Sequence, residues 1–219
     1  MADAIRQTVA TFGGLDVVVN NASAISPTDT TATSMKTFDL MHSINTRGTF
    51  LVSKLAIEHL KRSANPHVLT LSPPLLMEDK WFSRSTAYTM SKYGMSMCTL
   101  GMAAEFACEG IAFNCLWPRT LIWTSAVNML LGKEGARHSR RPDIMADAAH
   151  AILSKDSRSF TGRFLIDEEV LREEGVRDFD VYAVDPSSPL MTDGYIPDHL
   201  AQGLIGLEAF VGPSLNSKL

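Results

Sequence analysis

Leu15-Asp16-Val17-Val18-Val19 is β-branched and apolar nearly throughout, a pattern suited to a strand of a parallel sheet covered on both faces. It reads as a central strand, not a peripheral one. Residues 2–12 before it read as an amphipathic helix closed by Gly13-Gly14, a natural C-cap pair. After it, residues 35–62 read as a long helix, 67–71 as a strand, 85–109 as a second long helix and 111–116 as a third strand. Further helices are expected at 121–131 and 142–154, the latter with Pro142 in the first turn, where a missing N–H costs nothing; 163–166 reads as a last short strand. Strands alternating with helices call for right-handed βαβ units and an α/β fold.

The second long helix carries Tyr88-Thr89-Met90-Ser91-Lys92. A Tyr and a Lys four apart share one helix face, and the ammonium draws the phenol pKa down toward the range of a general acid/base. Such a pair moves a proton while a cofactor moves a hydride. Taken singly, the pair is more often a surface contact worth about 0.2–0.5 kcal/mol. An Asn within a helix, as at Asn45, is more often solvated or a kink, and a Ser ending a strand, as at Ser72, is an ordinary turn former. Order changes the weighing, because Asn20-Asn21-Ala22, Asn45, Ser72, Tyr88 and Lys92 follow one another along the chain. A glycine-rich loop opening a helix, which would cradle a dinucleotide pyrophosphate, is not present in the sequence.

With 219 residues and 45% hydrophobic content the chain supports one sizeable core, burying roughly 70% of the unfolded surface. A net charge of -4 with scattered lysines and arginines gives no electrostatic footprint for nucleic acid. The basic cluster Arg137-His138-Ser139-Arg140-Arg141 lies between two expected helices ahead of Pro142 and reads as a solvated loop in preference to a phosphate site. Cys98, Cys108 and Cys115 form no CxxC pair; an odd count without a secretory leader argues against a disulfide framework and fits a reducing compartment. Six dispersed histidines lack metal-ligand spacing, so no metal is expected, and no apolar run approaches the roughly 18 residues that span a bilayer. Pro186, Ser187, Ser188, Pro189 and Pro197 mark residues 185–219 as a tail crossing the surface beyond a domain at 1–184. The tail ends in Ser217-Lys218-Leu219, the address read by the peroxisomal import receptor, so peroxisomal localisation is expected.

Gly13-Gly14-Leu15-Asp16, Asn20-Asn21-Ala22-Ser23-Ala24-Ile25-Ser26, Asn45-Thr46-Arg47-Gly48-Thr49, Ser72-Pro73-Pro74, Tyr93-Gly94-Met95-Ser96-Met97 and Leu116-Trp117-Pro118, with the Tyr88–Lys92 pair, resemble the short-chain dehydrogenase/reductase family. The likeness runs from about residue 5 to about residue 190. It implies the C-terminal portion of a Rossmann-type doubly wound parallel sheet with the first strands missing: the first strand, its TGxxxGxG turn and the next two strands have no counterpart here, nor has the sterol-carrier domain of longer relatives. By the same resemblance Tyr88 is the general acid/base, and Lys92 lowers its pKa and binds the nicotinamide ribose. Ser72 holds the substrate oxygen, and Asn45 steadies a proton-relaying water. Asn20 and Ala22 tie the sheet together beside the cofactor, and Pro118 and Thr120 meet the carboxamide.

The implied cofactor is NADP or NAD, bound poorly by this chain alone, and the implied substrate is a carbonyl or alcohol of a hydrophobic, lipid-like molecule. Leu75, Leu76, Met77, Trp81 and Phe82 either line an apolar pocket for it or pack a loop onto the body. The resemblance further implies a homo-oligomer formed through the 35–62 and 85–109 helices. An alternative role is a non-catalytic subunit pairing with full-length relatives. Ser23 and Arg119 stand where the family commonly has glycine, and the sixteen residues from Ser72 to Tyr88 exceed its usual spacing.

Overall fold

The computed structural model describes residues 1–206, so Ser217-Lys218-Leu219 lies outside the described residues. The chain forms two compact units, Met1–Leu116 with Leu153–Leu165, and Trp117–Ile152 with the residues from Ile166 onward.

In the first unit, α1 (Ala2–Phe12) ends at Gly13, whose φ of 83° lets its N–H turn back to the Val9 carbonyl, a left-handed conformation that glycine adopts without a Cβ clash. Strand β1 (Val17–Asn20) follows. The expected helix at 35–62 is three consecutive pieces: α2 (Met35–His42), a π-helical turn (Ser43–Arg47) and α3 (Gly48–Leu60). Ser34 caps α2, its hydroxyl accepting from the Thr37 N–H at 3.1 Å. Strand β2 (His67–Thr70), the short α4 (Asp79–Phe82), α5 (Thr86–Glu105) and β3 (Ala112–Trp117) come next. Strand order is β1-β2-β3-β4, with β1 parallel to β2 and β2 parallel to β3. Val18, Val68 and Phe113 share one row across the strands and pack with Ile57, Leu60 and Met102. Each such side chain contributes roughly 1.5–3 kcal/mol by leaving water.

Strand β1 corrects one expectation. It lies at the edge of the sheet, with Val17 and Val19 exposed (37% and 48%) and only Val18 and Asn20 buried. The β-branched run predicted cover on both faces, but among the described residues β1 pairs on one side only, with β2.

The second unit contains α6 (Ser125–Leu131), α7 (Glu134–Arg137), α8 (Asp143–Leu153) and, after β4 (Phe164–Ile166), α9 (Asp167–Glu173) and a 3₁₀ turn (Asp180–Tyr182). Helix α6 starts four residues later than the periodicity predicts, because the preceding backbone is spent on extended pairing. Thr120 bridges Thr192, the Leu121 N–H donates to Met191 O (3.0 Å), and the Trp123 N–H donates to Arg140 O (2.8 Å). The segment expected to cross the surface from 185 onward instead buries Met191 and Ile196, Met191 packing with Leu121 and Val127. Arg140, placed by the sequence in a solvated loop, is 4% exposed.

Candidate active site

Helix α5 presents Tyr88, Ser91, Lys92, Ser96 and Thr99 along one stripe, the i, i+3, i+4 arithmetic of a helix face. Tyr88 is half-buried; Ser91, Lys92, Ser96 and Thr99 are buried. The Lys92 ammonium, 3% exposed, donates to the Leu71 carbonyl at 2.8 Å and to Ser23 Oγ at 3.5 Å. A buried ammonium needs such partners, and these two fix it beside Ser72.

Asn45, fully buried, sits within the π-helical turn, a local widening that concentrates at functional sites. Its Oδ1 accepts from the Ala24 N–H at 2.7 Å, and its Nδ2 donates to Ala24 O and Ser91 Oγ, each at 2.9 Å. The side-chain amide is thus committed to the protein, stapling the 22–24 loop to α5. Ser91, which the sequence reading passed over, donates its hydroxyl to the Tyr88 carbonyl at 2.8 Å and so links Asn45 to the Tyr88 backbone. Thr46 donates to the Ser91 carbonyl at 3.0 Å, and a Cβ at position 94 would lie 2.2 Å from the Thr46 hydroxyl. Only glycine permits that approach.

Ser72, fully buried, donates to Cys115 Sγ at 3.2 Å. Burial pushes the Cys115 thiol up, against the hydroxyls of Ser72, Thr99 and Ser96 and the Lys92 charge, which oppose it. Asn20 Nδ2 donates to Ser53 Oγ (3.0 Å) and Thr70 Oγ1 (3.5 Å), and Thr99 donates to Thr70 Oγ1 (3.0 Å). Ala22 is exposed. One unit therefore gathers Asn20, Ala22, Asn45, Ser72, Tyr88 and Lys92. Pro118 and Thr120 belong to the other unit, where both are buried and Thr120 Oγ1 has no hydrogen-bond partner among the described residues.

The loop between Ser72 and Tyr88 packs onto α5. Tyr93 Oη donates to Leu76 O (2.7 Å), Ser96 to Pro73 O (2.6 Å) and Thr89 to Trp81 O (2.5 Å), while the Phe82 and Tyr93 rings meet edge to face at 5.5 Å. Burial pushes the Tyr93 phenol up to about 12, which removes it from acid/base work near neutrality.

In the second unit Glu168, 1% exposed, holds three guanidinium groups at 2.6 Å: Arg119 and Arg172 on Oε1 and Arg140 on Oε2. Arg119 also donates to Leu200 O (2.7 Å) and Gln202 O (3.1 Å). A cavity of about 160 Å³ lined by Arg119, Glu168, Glu169, Arg172, His199 and Leu200 adjoins the cluster. Asp167 accepts from the N–H groups of Arg119 (2.8 Å) and Glu168 (2.7 Å), yet burial pushes its carboxyl up to about 6. A folded-state pKa above the unfolded value means the native state holds the proton more tightly, so the stability cost is full above pH 6 and fades as pH falls toward 4. Asp167→Asn retains an acceptor for both N–H groups and is expected to add on the order of 2 kcal/mol at pH 7 and nothing near pH 4. Denaturant unfolding of both proteins across that range measures the difference, and a pH-independent difference contradicts the assignment.

Residues 1–166 match a family model described as enoyl-(acyl carrier protein) reductase. Hydroxysteroid dehydrogenase-like protein 2 of Danio rerio is 57% identical over 194 residues, 89% of this chain and 46% of the relative; the chain spans about half the length of the curated relatives it matches. Among solved structures, a dehydrogenase from Xanthomonas campestris superposes with a TM-score of 0.87 at 50% identity, covering 90% of this chain and 72% of that one. A short chain dehydrogenase from Mycobacterium thermoresistibile gives 0.84 at 46% identity, covering 97% and 73%.

Proposed function

Given that the chain belongs to the short-chain dehydrogenase/reductase family, we propose that it is an NAD(P)-dependent oxidoreductase interconverting a carbonyl and an alcohol on a hydrophobic, lipid-like substrate, with Tyr88 as general acid/base. Family membership supports oxidoreductase chemistry and nicotinamide cofactors in general. The observation that carries the finer reading is the α5 stripe: a half-buried phenol one turn from a 3% exposed ammonium that is tied to the residue preceding Ser72.

Each unit taken by itself, Thr120 Oγ1 in the second is buried with no hydrogen-bond partner among the described residues and suits a carboxamide, and Lys92 and the Asn20 loop in the first suit a ribose. The cofactor, when bound, supplies or accepts the hydride. In reduction Tyr88 gives its phenolic proton to the substrate oxygen as negative charge develops there, while Ser72 donates a hydrogen bond to the same atom; in oxidation Tyr88 takes the alcohol proton. The Lys92 charge stabilises the phenolate left behind. Asn45 and Ser91 hold the Tyr88 turn against the 22–24 loop, so the proton-transfer atoms start in place.

No glycine-rich turn in this sequence opens a helix for the pyrophosphate. The 219-residue chain is therefore expected to bind NADPH and NADH more weakly than about 1 μM in a fluorescence titration, about 8 kcal/mol of binding free energy. Micromolar or tighter binding would show that other groups hold the phosphates. Catalysis is tested by turnover of a medium-chain methyl ketone at millimolar NADPH.

A second reading is a non-catalytic subunit that pairs with full-length relatives and modulates them. Met90, Met97 and Leu100 on α5 and Phe50 on α3 are each about half exposed, an apolar surface suited to a second copy or a relative. Both readings include self-association through these helices. Delivery to peroxisomes by the import receptor through Ser217-Lys218-Leu219 belongs to the same proposal.

A further inference from the structure

Ser72 differs from the hydroxyl residues around it in where its proton rests. Ser96 donates to Pro73 O at 2.6 Å and Thr99 to Thr70 Oγ1 at 3.0 Å, so both protons lie on oxygen. Among the described residues the Ser72 hydroxyl donates to Cys115 Sγ at 3.2 Å and to no oxygen. Ser72, Ser96, Thr99 and Cys115 are each at most 2% exposed, so bulk solvent does not compete for these hydroxyls. A thiol sulfur is a weak acceptor. It holds a hydroxyl in one rotamer while yielding the hydrogen bond at little cost to a better acceptor.

We propose that Cys115 is a positioning residue for Ser72, fixing its hydroxyl in the resting site and leaving it free to turn its hydrogen bond to the substrate oxygen. The inference rests on the oxidoreductase reading above. Cys115 itself does not react; its thiol stays protonated because burial opposes the thiolate. A carbonyl oxygen gathering negative charge is a far stronger acceptor than sulfur, so the Ser72 proton turns outward as the reaction proceeds and the O–H···S contact is given up for O–H···O.

Two readouts test this. In a chain carrying Cys98→Ser and Cys108→Ser, Cys115 is the one remaining thiol, and its infrared S–H stretch is expected to move when Ser72→Ala removes the donor. In turnover of a medium-chain methyl ketone at millimolar NADPH, Cys115→Ala is expected to lower kcat roughly two- to tenfold with the KM for NADPH unchanged. Cys115→Ser, whose oxygen keeps Ser72 positioned but holds its hydrogen more tightly than sulfur does, is expected to recover only part of the loss. A kcat unaltered in Cys115→Ala, a loss shared equally by Cys115→Ser, or an unmoved S–H band overturns the assignment and leaves the oxidoreductase reading standing. Absence of turnover in the chain without substitutions overturns that reading and the role of Cys115 with it.

Discussion

Tyr88→Phe is expected to lower ketone turnover by about 10²–10⁴-fold, the range over which a positioned general acid acts. The substitution removes a single oxygen and leaves the ring. Ser91 grips the Tyr88 backbone carbonyl, not its phenol, so the α5 turn and its link to Asn45 stay in place. Unfolding free energy is therefore expected to change by less than about 1 kcal/mol. Tyr93→Phe is the matching control: the Tyr93 phenol, pushed up to about 12 by burial, donates to Leu76 O and braces a loop. Its loss should cost about 1 kcal/mol of stability and little turnover. If the two variants lose activity to the same extent, Tyr88 has no special chemical role.

Glu168→Ala is expected to destabilise the protein by about 3–5 kcal/mol, because it strands cations that cannot all reach water. Arg140 has 5% of its side chain exposed and Arg119 18%, and both point their guanidinium groups at Glu168 from 2.6 Å. Arg172, half exposed, contributes less, since solvent screens it. Burial of Glu168 works against ionisation, but the Arg172, Arg140 and Arg119 partners outweigh it and hold the carboxyl below the usual range. That lowered pKa has the opposite sign from Asp167: its stabilisation is present at neutral pH and lost in acid. For a chain of this size the loss corresponds to a fall in Tm of about 10 °C, and the segment tied by Arg119 to Leu200 and Gln202 should become the first site of proteolysis. A change below 1 kcal/mol would mean that the arginines find other partners.

The strands and long helices were legible because continuous β-branched apolar runs and period 3.6 patterns are local properties of the chain. The π-helical turn at Asn45 was not, since no residue type in Ser43–Arg47 marks a widened turn and its helical dihedrals carry no breaker signal. Tyr88, Lys92, Ser72 and Asn45 stood out by order along the chain, and Asn45, Ser91 and the Tyr88 backbone do meet. What Asn45 does with its amide could not be read, because Ala24 and Ser91 come from segments 21 residues before it and 46 after. Asp167, Glu168 and Glu169 occupy the first turn of α9, where acidic residues are ordinary, so residue types alone do not single out Glu168. Only Arg119, 49 residues away, and Arg140, 28 away, reveal Glu168 as a buried hub. The basic run containing Arg140 was misjudged for the same reason: a cation is solvated by default unless a distant carboxylate waits for it. Arg119 in a position commonly taken by glycine was the available signal.

The most direct measurement of the central claim is transfer of deuterium from C4-labelled NADPH, at millimolar concentration, to the carbonyl carbon of a medium-chain methyl ketone. The 219-residue chain is predicted to deliver the label into the product alcohol, and its Tyr88→Phe and Lys92→Met variants to deliver it at least a hundredfold more slowly. Label transfer at an equal rate in all three proteins, or none in any, would contradict the assignment of Asn45, Ser72, Tyr88 and Lys92 as a hydride-transfer site.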